Sequence, residues 1–278
     1  MGNQEYPEIP PEREDDLHNL EIIDKAQLIL FMAGNQFMVM DELIKAFQRK
    51  YPEVEYIFYE TLPPGLEFKQ IIAQGALFKG KLIPGNPDIY TCVTEDAMKE
   101  LLEKGLIEDY SIYLHNRIVL MVPEGNPANI KSVLDLGRDE VRVSQPGEME
   151  HIAKYIIKMY EKAGGKELVK KILEEKKEKG TTIFTKVHHR ETPERIIKGE
   201  ADVGPVWATE VEHAKRMGLK VEAVEPGEEL DMRDEVNYYI AKLKNAPNPE
   251  NAEKFLKFIF SEEAQKIYQS YGFVPHKI

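Results

Sequence analysis

Short apolar runs alternate with stretches of helical period through most of this chain, and that alternation restricts the fold more than any other feature. Residues 26–32 form an apolar run bounded by Ala33, Gly34 and Asn35, the pattern of a buried strand. Over 37–51, Met38, Leu43, Ala46 and Phe47 recur at helical spacing, and Pro52 ends the helix. A second strand is expected over 54–59, then a Pro- and Gly-rich turn at 62–65 and a helix to about Gly75. The strand 88–92 leads into a helix over 94–105, with Thr94 as its N-cap and Gly105 as its stop. Strand, helix, strand, helix at this spacing specifies a parallel sheet with right-handed crossovers.

A longer apolar strand over 117–123 runs into a turn at 124–127, and the pattern then begins again. It continues as a short helix (133–136), a strand (141–143), a loop at 144–147 and a helix over 151–163 stopped by Gly164 and Gly165. A charged helix over 167–179, with a solvated face, precedes a strand at 183–187, a loop at 188–192 and a helix at 193–198. Strands at 201–207 and 236–243 follow, and two amphipathic helices, 251–260 and 262–271, close the chain. There is no tandem repeat. The expected division is one lobe of residues 25–115 plus 236–278 and a second of 116–235. Residues 4–16, with Pro7, Pro10, Pro11 and six acidic side chains, place a flexible acidic tether over 1–24.

Composition narrows the partners. With 42% hydrophobic residues the chain can bury a sizeable core, whereas 37 basic against 49 acidic residues leave a net charge of −12. That balance disfavours nucleic acid and anionic membrane surfaces. The single cysteine, Cys92, permits no intramolecular disulfide or cysteine-based zinc site, and its apolar strand makes it a core residue. No apolar run reaches the roughly 18 residues of a membrane span. The start lacks a basic-then-apolar leader, which leaves a cytoplasmic protein or a mature exported form; the tether favours export.

Three places set a strand end, a polar loop and a helix start in succession: Gly34-Asn35-Gln36, Gln145-Pro146-Gly147 and His189-Arg190-Glu191-Thr192. Ligands in open parallel sheets sit beyond the carboxyl ends of strands, where helix N-termini favour anions. Thr192, Pro193 and Glu194 read as N-cap, first-turn proline and first-turn acid. Arg190 could fork onto a carboxylate or oxyanion, or pair with Glu191 or Glu194 on the surface. His188 and His189 are adjacent, so on a strand they face opposite sides. Trp207 either walls a cleft or fills the core. The chain has no G-x-S-x-G, P-loop, H-E-x-x-H or dinucleotide fingerprint, so no catalytic residue, metal ligand or cofactor is assigned.

Several segments, in order, carry a family likeness: 87–90 running to 101–107, 118–127, 130–136, 199–204 and the ending Tyr271-Gly272-Phe273. They resemble the type II periplasmic solute-binding proteins of ABC transporters, in particular the molybdate- and tungstate-binding branch. The resemblance implies an α/β fold of two lobes, each a mostly parallel sheet flanked by helices, with hinge strands between. It also implies closure on a ligand, docking onto a permease, a monomer, and a periplasmic or other extracytoplasmic location, with lipid anchoring left open. In relatives, loop hydroxyls and backbone amides hold the oxyanion. Carried over, the first loop supplies Gly34, Asn35 and Gln36, where the family usually has Ser or Thr, and the second supplies Thr61. The other lobe supplies Gln145, Pro146, Gly147, His189, Arg190 and Thr192, with Trp207 where a Tyr is expected.

These departures, with Glu60 and Glu191 nearby, leave alternatives to an oxyanion. A carboxylate, a zwitterion, a metal ion held by His188 or His189 with Glu60 and Glu191, or a metal chelate would use the same fold. A cytoplasmic sensor or enzyme of that fold is a further alternative. Two ionised glutamates would repel a dianion unless Arg190 and histidine offset them.

Overall fold

The computed structural model describes residues 5–148, 150–186 and 191–276. The chain divides into two compact units, one of residues 1–114, 237–270 and 275–278, the other of 115–236 and 271–274.

The first unit is built on a seven-stranded mixed sheet. An interior strand, Leu28–Phe31, is buried throughout and runs parallel to Ile57–Glu60 on one side and Ile89–Cys92 on the other. Continuous Leu, Ile and Phe suit a strand covered on both faces. The helix Phe37–Lys50 covers it with Val39, Met40, Leu43, Ile44, Ala46 and Phe47, the inward set of a 3.6-residue period. Arg49 and Lys50 in its last turn favour the negative end of the helix dipole. Asn237–Lys242 joins the sheet antiparallel to Ile89–Cys92, so a late segment of chain lies inside an early sheet. Asp88 ties these segments together, accepting the Ile29 amide at 2.7 Å and the Asn248 amide at 2.6 Å.

Several elements depart from the sequence expectation. A hairpin, Gly75–Phe78 with Lys81–Pro84, occupies a stretch with no expected strand. Its two-residue turn puts Lys79 and Gly80 at φ 49° and 77°, the positive-φ pair of a tight hairpin. Residues 1–24 are not a free tether among the described residues. Glu8–Ile9 pairs with Gly75–Phe78, Leu17–His18 closes the edge of Ile57–Glu60, and Ile9 and Leu17 are buried. The local proline and acid content concealed two apolar anchors.

In the second unit, Ile118–Pro123 is flanked by Gly204–Trp207 and Val221–Val224, both antiparallel to it. Val143–Gln145 and Thr182–Phe184 form a parallel pair beside this sheet, linked to it through a Val143–Val203 bridge. The two helices expected on either side of Gly164 and Gly165 are both present, separated where those glycines adopt non-helical backbone, as the sequence pattern indicated. The charged segment is not wholly solvated, because Lys176 is buried and donates to the carbonyls of Arg138 and Val141. The helix Ala208–Arg216 and the strand Val221–Val224 lie where the sequence pattern suggested no element.

Candidate functional site

In the first unit the loops after the first two parallel strands press together. A Cβ on Gly34 would sit 2.8 Å from the Thr61 carbonyl oxygen and 3.0 Å from that of Leu62, so only glycine fits without a shift. Gly34 and Thr61 are therefore brought to one place. Asn35 follows in a short 3-10 turn that leads directly into the Phe37 helix. Its Nδ2 donates to Tyr238 Oη at 2.6 Å, and its Oδ1 is buried without a partner. Turning the amide over would let Tyr238 donate to Oδ1 and would free Nδ2 as a donor. Thr61 is held by its backbone, whose N–H donates to the Asp16 carbonyl at 2.9 Å; its hydroxyl, on a residue 2% exposed, has no partner.

Gln36 differs from its neighbours. Its Oε1 accepts from the hydroxyls of Tyr113 (2.7 Å) and Tyr268 (3.0 Å), and its Nε2 donates to Thr91 Oγ1 at 3.1 Å. The side chain is fully buried and occupied as an internal brace, so it is a correction to the expected ligand set.

In the second unit Gln145 belongs to a strand, not a loop, and its Oε1 accepts from Tyr160 Oη at 2.7 Å. Gln145 is therefore also an internal contact. Pro146 and Gly147 form the loop. The Gly147 amide donates to Thr185 Oγ1 at 3.0 Å and to Glu150 Oε1 at 3.2 Å, and a Cβ there would meet the Thr185 carbonyl at 2.8 Å. The 147 and 185 loops thus adjoin, the counterpart of the Gly34–Thr61 approach.

Thr192 lies inside the helix Glu191–Ile197, not at its cap. Its hydroxyl is fully buried, 2.8 Å from Ser144 Oγ. His189 and Arg190 lie outside the described residues. The cation that organises this corner among the described residues is Arg195, absent from the sequence-derived set. It donates to Ser144 Oγ (3.1 Å), Ile183 O (3.1 Å), Phe184 O (3.0 Å) and Glu191 Oε2 (2.9 Å). The Glu191–Arg195 spacing of four on a helix was the available signal. Glu191 also accepts the Lys186 amide at 2.8 Å.

Trp207 is 5% exposed and packs against Tyr155 with ring centroids 5.9 Å apart, so it fills the interior of its unit. Tyr155 in turn meets His151 edge-on at 5.4 Å. The His151 Nε2 is buried without a hydrogen-bond partner, and burial, with Lys154 nearby, pushes its pKa down to about 4. A neutral imidazole thus stands three residues past Glu148 on the Gly147 loop, a candidate the sequence pattern did not single out. Cys92 is core as expected: buried, its thiol pushed up to about 12 by desolvation. No group of three or more His, Cys, Asp or Glu able to hold a metal ion occurs among the described residues. No helix among them is long and apolar enough to cross a membrane.

The arrangement offers neutral hydrogen-bonding groups at close-packed loops, and known proteins share its framework. A substrate-binding domain of a molybdenum ABC transporter from Clostridium difficile superposes with TM-score 0.71 at 22% identity, over 90% of this chain and 99% of that one. The sulfate-binding protein SubI of Mycobacterium tuberculosis superposes with TM-score 0.65 at 19% identity, covering 89% and 85%. Iron-bound HitA of Pseudomonas aeruginosa gives the same score, identity and coverage. These likenesses show the type II periplasmic-binding-protein fold. Among sequences, an ABC transporter substrate-binding lipoprotein of Bacillus subtilis, YvgL, is 25% identical over 203 residues, 72% of each chain. The profile of the bacterial extracellular solute-binding proteins matches residues 28–274, and the chain belongs to that family.

Proposed function

We propose that this protein is the extracytoplasmic capture component of an ABC transporter and that it hands a tetrahedral oxyanion of the molybdate or tungstate kind to a permease. The relatives named for ABC transport, molybdenum and sulfate support the reading. The observation that carries it is the Thr61 hydroxyl, buried without a partner where the Gly34 and Thr61 loops meet. A hydroxyl can donate to an anion without bringing charge of its own. In this reading Asn35 and the Gly34–Asn35 backbone share the ligand with Thr61. His189 and Arg190 are retained as proposed ligand residues. The protein acts as a monomer, carries a lipid anchor in keeping with the lipoprotein name of the Bacillus relative, and returns its ligand unchanged.

The test is a thermal-shift panel of molybdate, tungstate, sulfate, phosphate, small carboxylates and divalent metals. A dianion that binds raises the melting temperature in proportion to its affinity. A shift with metals or carboxylates and none with tetrahedral oxyanions defeats the reading. Thr61→Ala is expected to weaken the dianion by about 1–3 kcal/mol while leaving the ligand-free melting temperature nearly unchanged. Arg190→Ala is expected to weaken it by about 2–5 kcal/mol, read by titration calorimetry.

A further inference from the structure

Two carboxyl groups lie beside the Thr61 loop and play no part in the proposed contacts. Glu60 ends the strand Ile57–Glu60, and Glu67 lies in the first turn of the helix Pro64–Ala73, so the pair brackets the loop in sequence. Strand alternation turns Glu60 to the side of Phe58, which shares a core with Leu62 and Ile71, and turns Thr61 the other way. Gln70, one turn after Glu67 on the same helix face, donates to Glu60 Oε2 at 3.4 Å and to the Pro84 carbonyl at 3.0 Å. Glu60 and Glu67 are both fully buried. Glu60 Oε1 and both carboxyl oxygens of Glu67 lack a hydrogen-bond partner. The Leu62 backbone lies close enough to favour the ionised form of Glu67 without making a well-formed hydrogen bond.

Among the described residues, the groups that act directly on the pair are polar or acidic, and the cation Arg13 is paired to Asp16 at the surface. The N-terminal segment contributes Asp16, the Ile89–Cys92 strand contributes Tyr90 and Cys92, and the helix contributes Gln70. An ionised carboxylate buried without a cation is strongly disfavoured. Burial accordingly holds both acids well above the usual carboxylate range, and Glu60 raises Glu67 further.

We propose that Glu60 and Glu67 form a buried, protonated acid pair that couples anion capture at the Thr61 loop to proton retention. The proposal rests on the oxyanion reading above and explains how a dianion tolerates Glu60 as a neighbour: the glutamate is neutral. Ionising the pair places negative charge next to the loop in a medium of low dielectric, which opposes the anion. By linkage, a bound dianion makes the pair hold its protons more tightly, and loss of those protons releases the dianion.

Titration calorimetry with tungstate and with sulfate, whose charges are constant from about pH 7 to 10, tests this above the ordinary histidine range. Affinity should fall with rising pH, by up to about tenfold per pH unit for each proton released. Buffers of differing ionisation heat should register proton uptake on binding. Glu67→Gln, which is permanently neutral, should bind as the natural protein does at the low end and lose the pH dependence. A flat profile in the natural protein, or an unchanged slope in both Glu67→Gln and Glu60→Gln, overturns the proposal. Difference infrared spectroscopy of the natural protein against Glu67→Gln reads the protonated carboxyl directly, without ligand; absence of its carbonyl band at neutral pH also overturns it. If the band is present and neither anion binds, the oxyanion reading has failed and the coupling falls with it, while the acid pair stands.

Discussion

Gln36 and Thr61 both lie in ligand-type loops, yet their side chains do opposite things. Gln36 satisfies two tyrosine hydroxyls and a threonine, whereas the Thr61 hydroxyl has no partner among the described residues. Gln36→Leu leaves buried hydroxyls unpaired and should cost about 2–4 kcal/mol in denaturant unfolding. Binding by the fraction that remains folded should change little. His151 provides a pH signature. Its folded-state pKa is depressed to about 4, so its contribution to stability is complete above the ordinary histidine value and is lost as pH falls from there toward 4. Melting temperatures across that window should drop in the natural protein and drop less in His151→Gln. At this scale the sequence pointed to the loops but not to the roles within them. Tyr113, Tyr268 and Asp16, which decide which loop side chain is occupied, lie far from it in the chain.

Among the elements, the long apolar strands Leu28–Phe31 and Ile118–Pro123 were legible because continuous Leu, Ile and Val have no other comfortable place. The Gly75–Pro84 hairpin was not, since Lys79-Gly80 is a weaker turn signal than Asn-Gly. Ala208–Arg216 was hidden by its own charge: Glu210, Glu212, Lys215 and Arg216 leave few apolar positions to show a period. Gly164 and Gly165 were correctly conspicuous, because their non-helical backbone separates two helices. Gly165 has φ 65° and ψ −167°, a region essentially closed to residues with a Cβ. Gly165→Ala should therefore destabilise by about 1–3 kcal/mol, seen as a lower melting temperature without ligand.

For the molecule as a whole, α/β alternation was readable from spacing, while the attachment of the N-terminal segment was not. Ile9 and Leu17 are single apolar residues among prolines and acids, and their burial depends on partners at 57–60 and 75–78. Deleting residues 1–18 should cost about 3 kcal/mol or more by exposing their seats and should weaken ligand binding through loss of the Asp16–Thr61 backbone contact. A simple tether would give no change in either measurement. Asp88 sets a further condition. Its carboxylate receives the amides of Ile29 and Asn248, so the contacts around the strand Leu28–Phe31 are complete only when a segment made 160 residues after Asp88 arrives. Residues 115–236 form an uninterrupted stretch that lacks only 271–274 to complete its unit. During synthesis, the middle of the polypeptide can therefore mature while its beginning remains incomplete, and the last two helices finish the body that the first strand began.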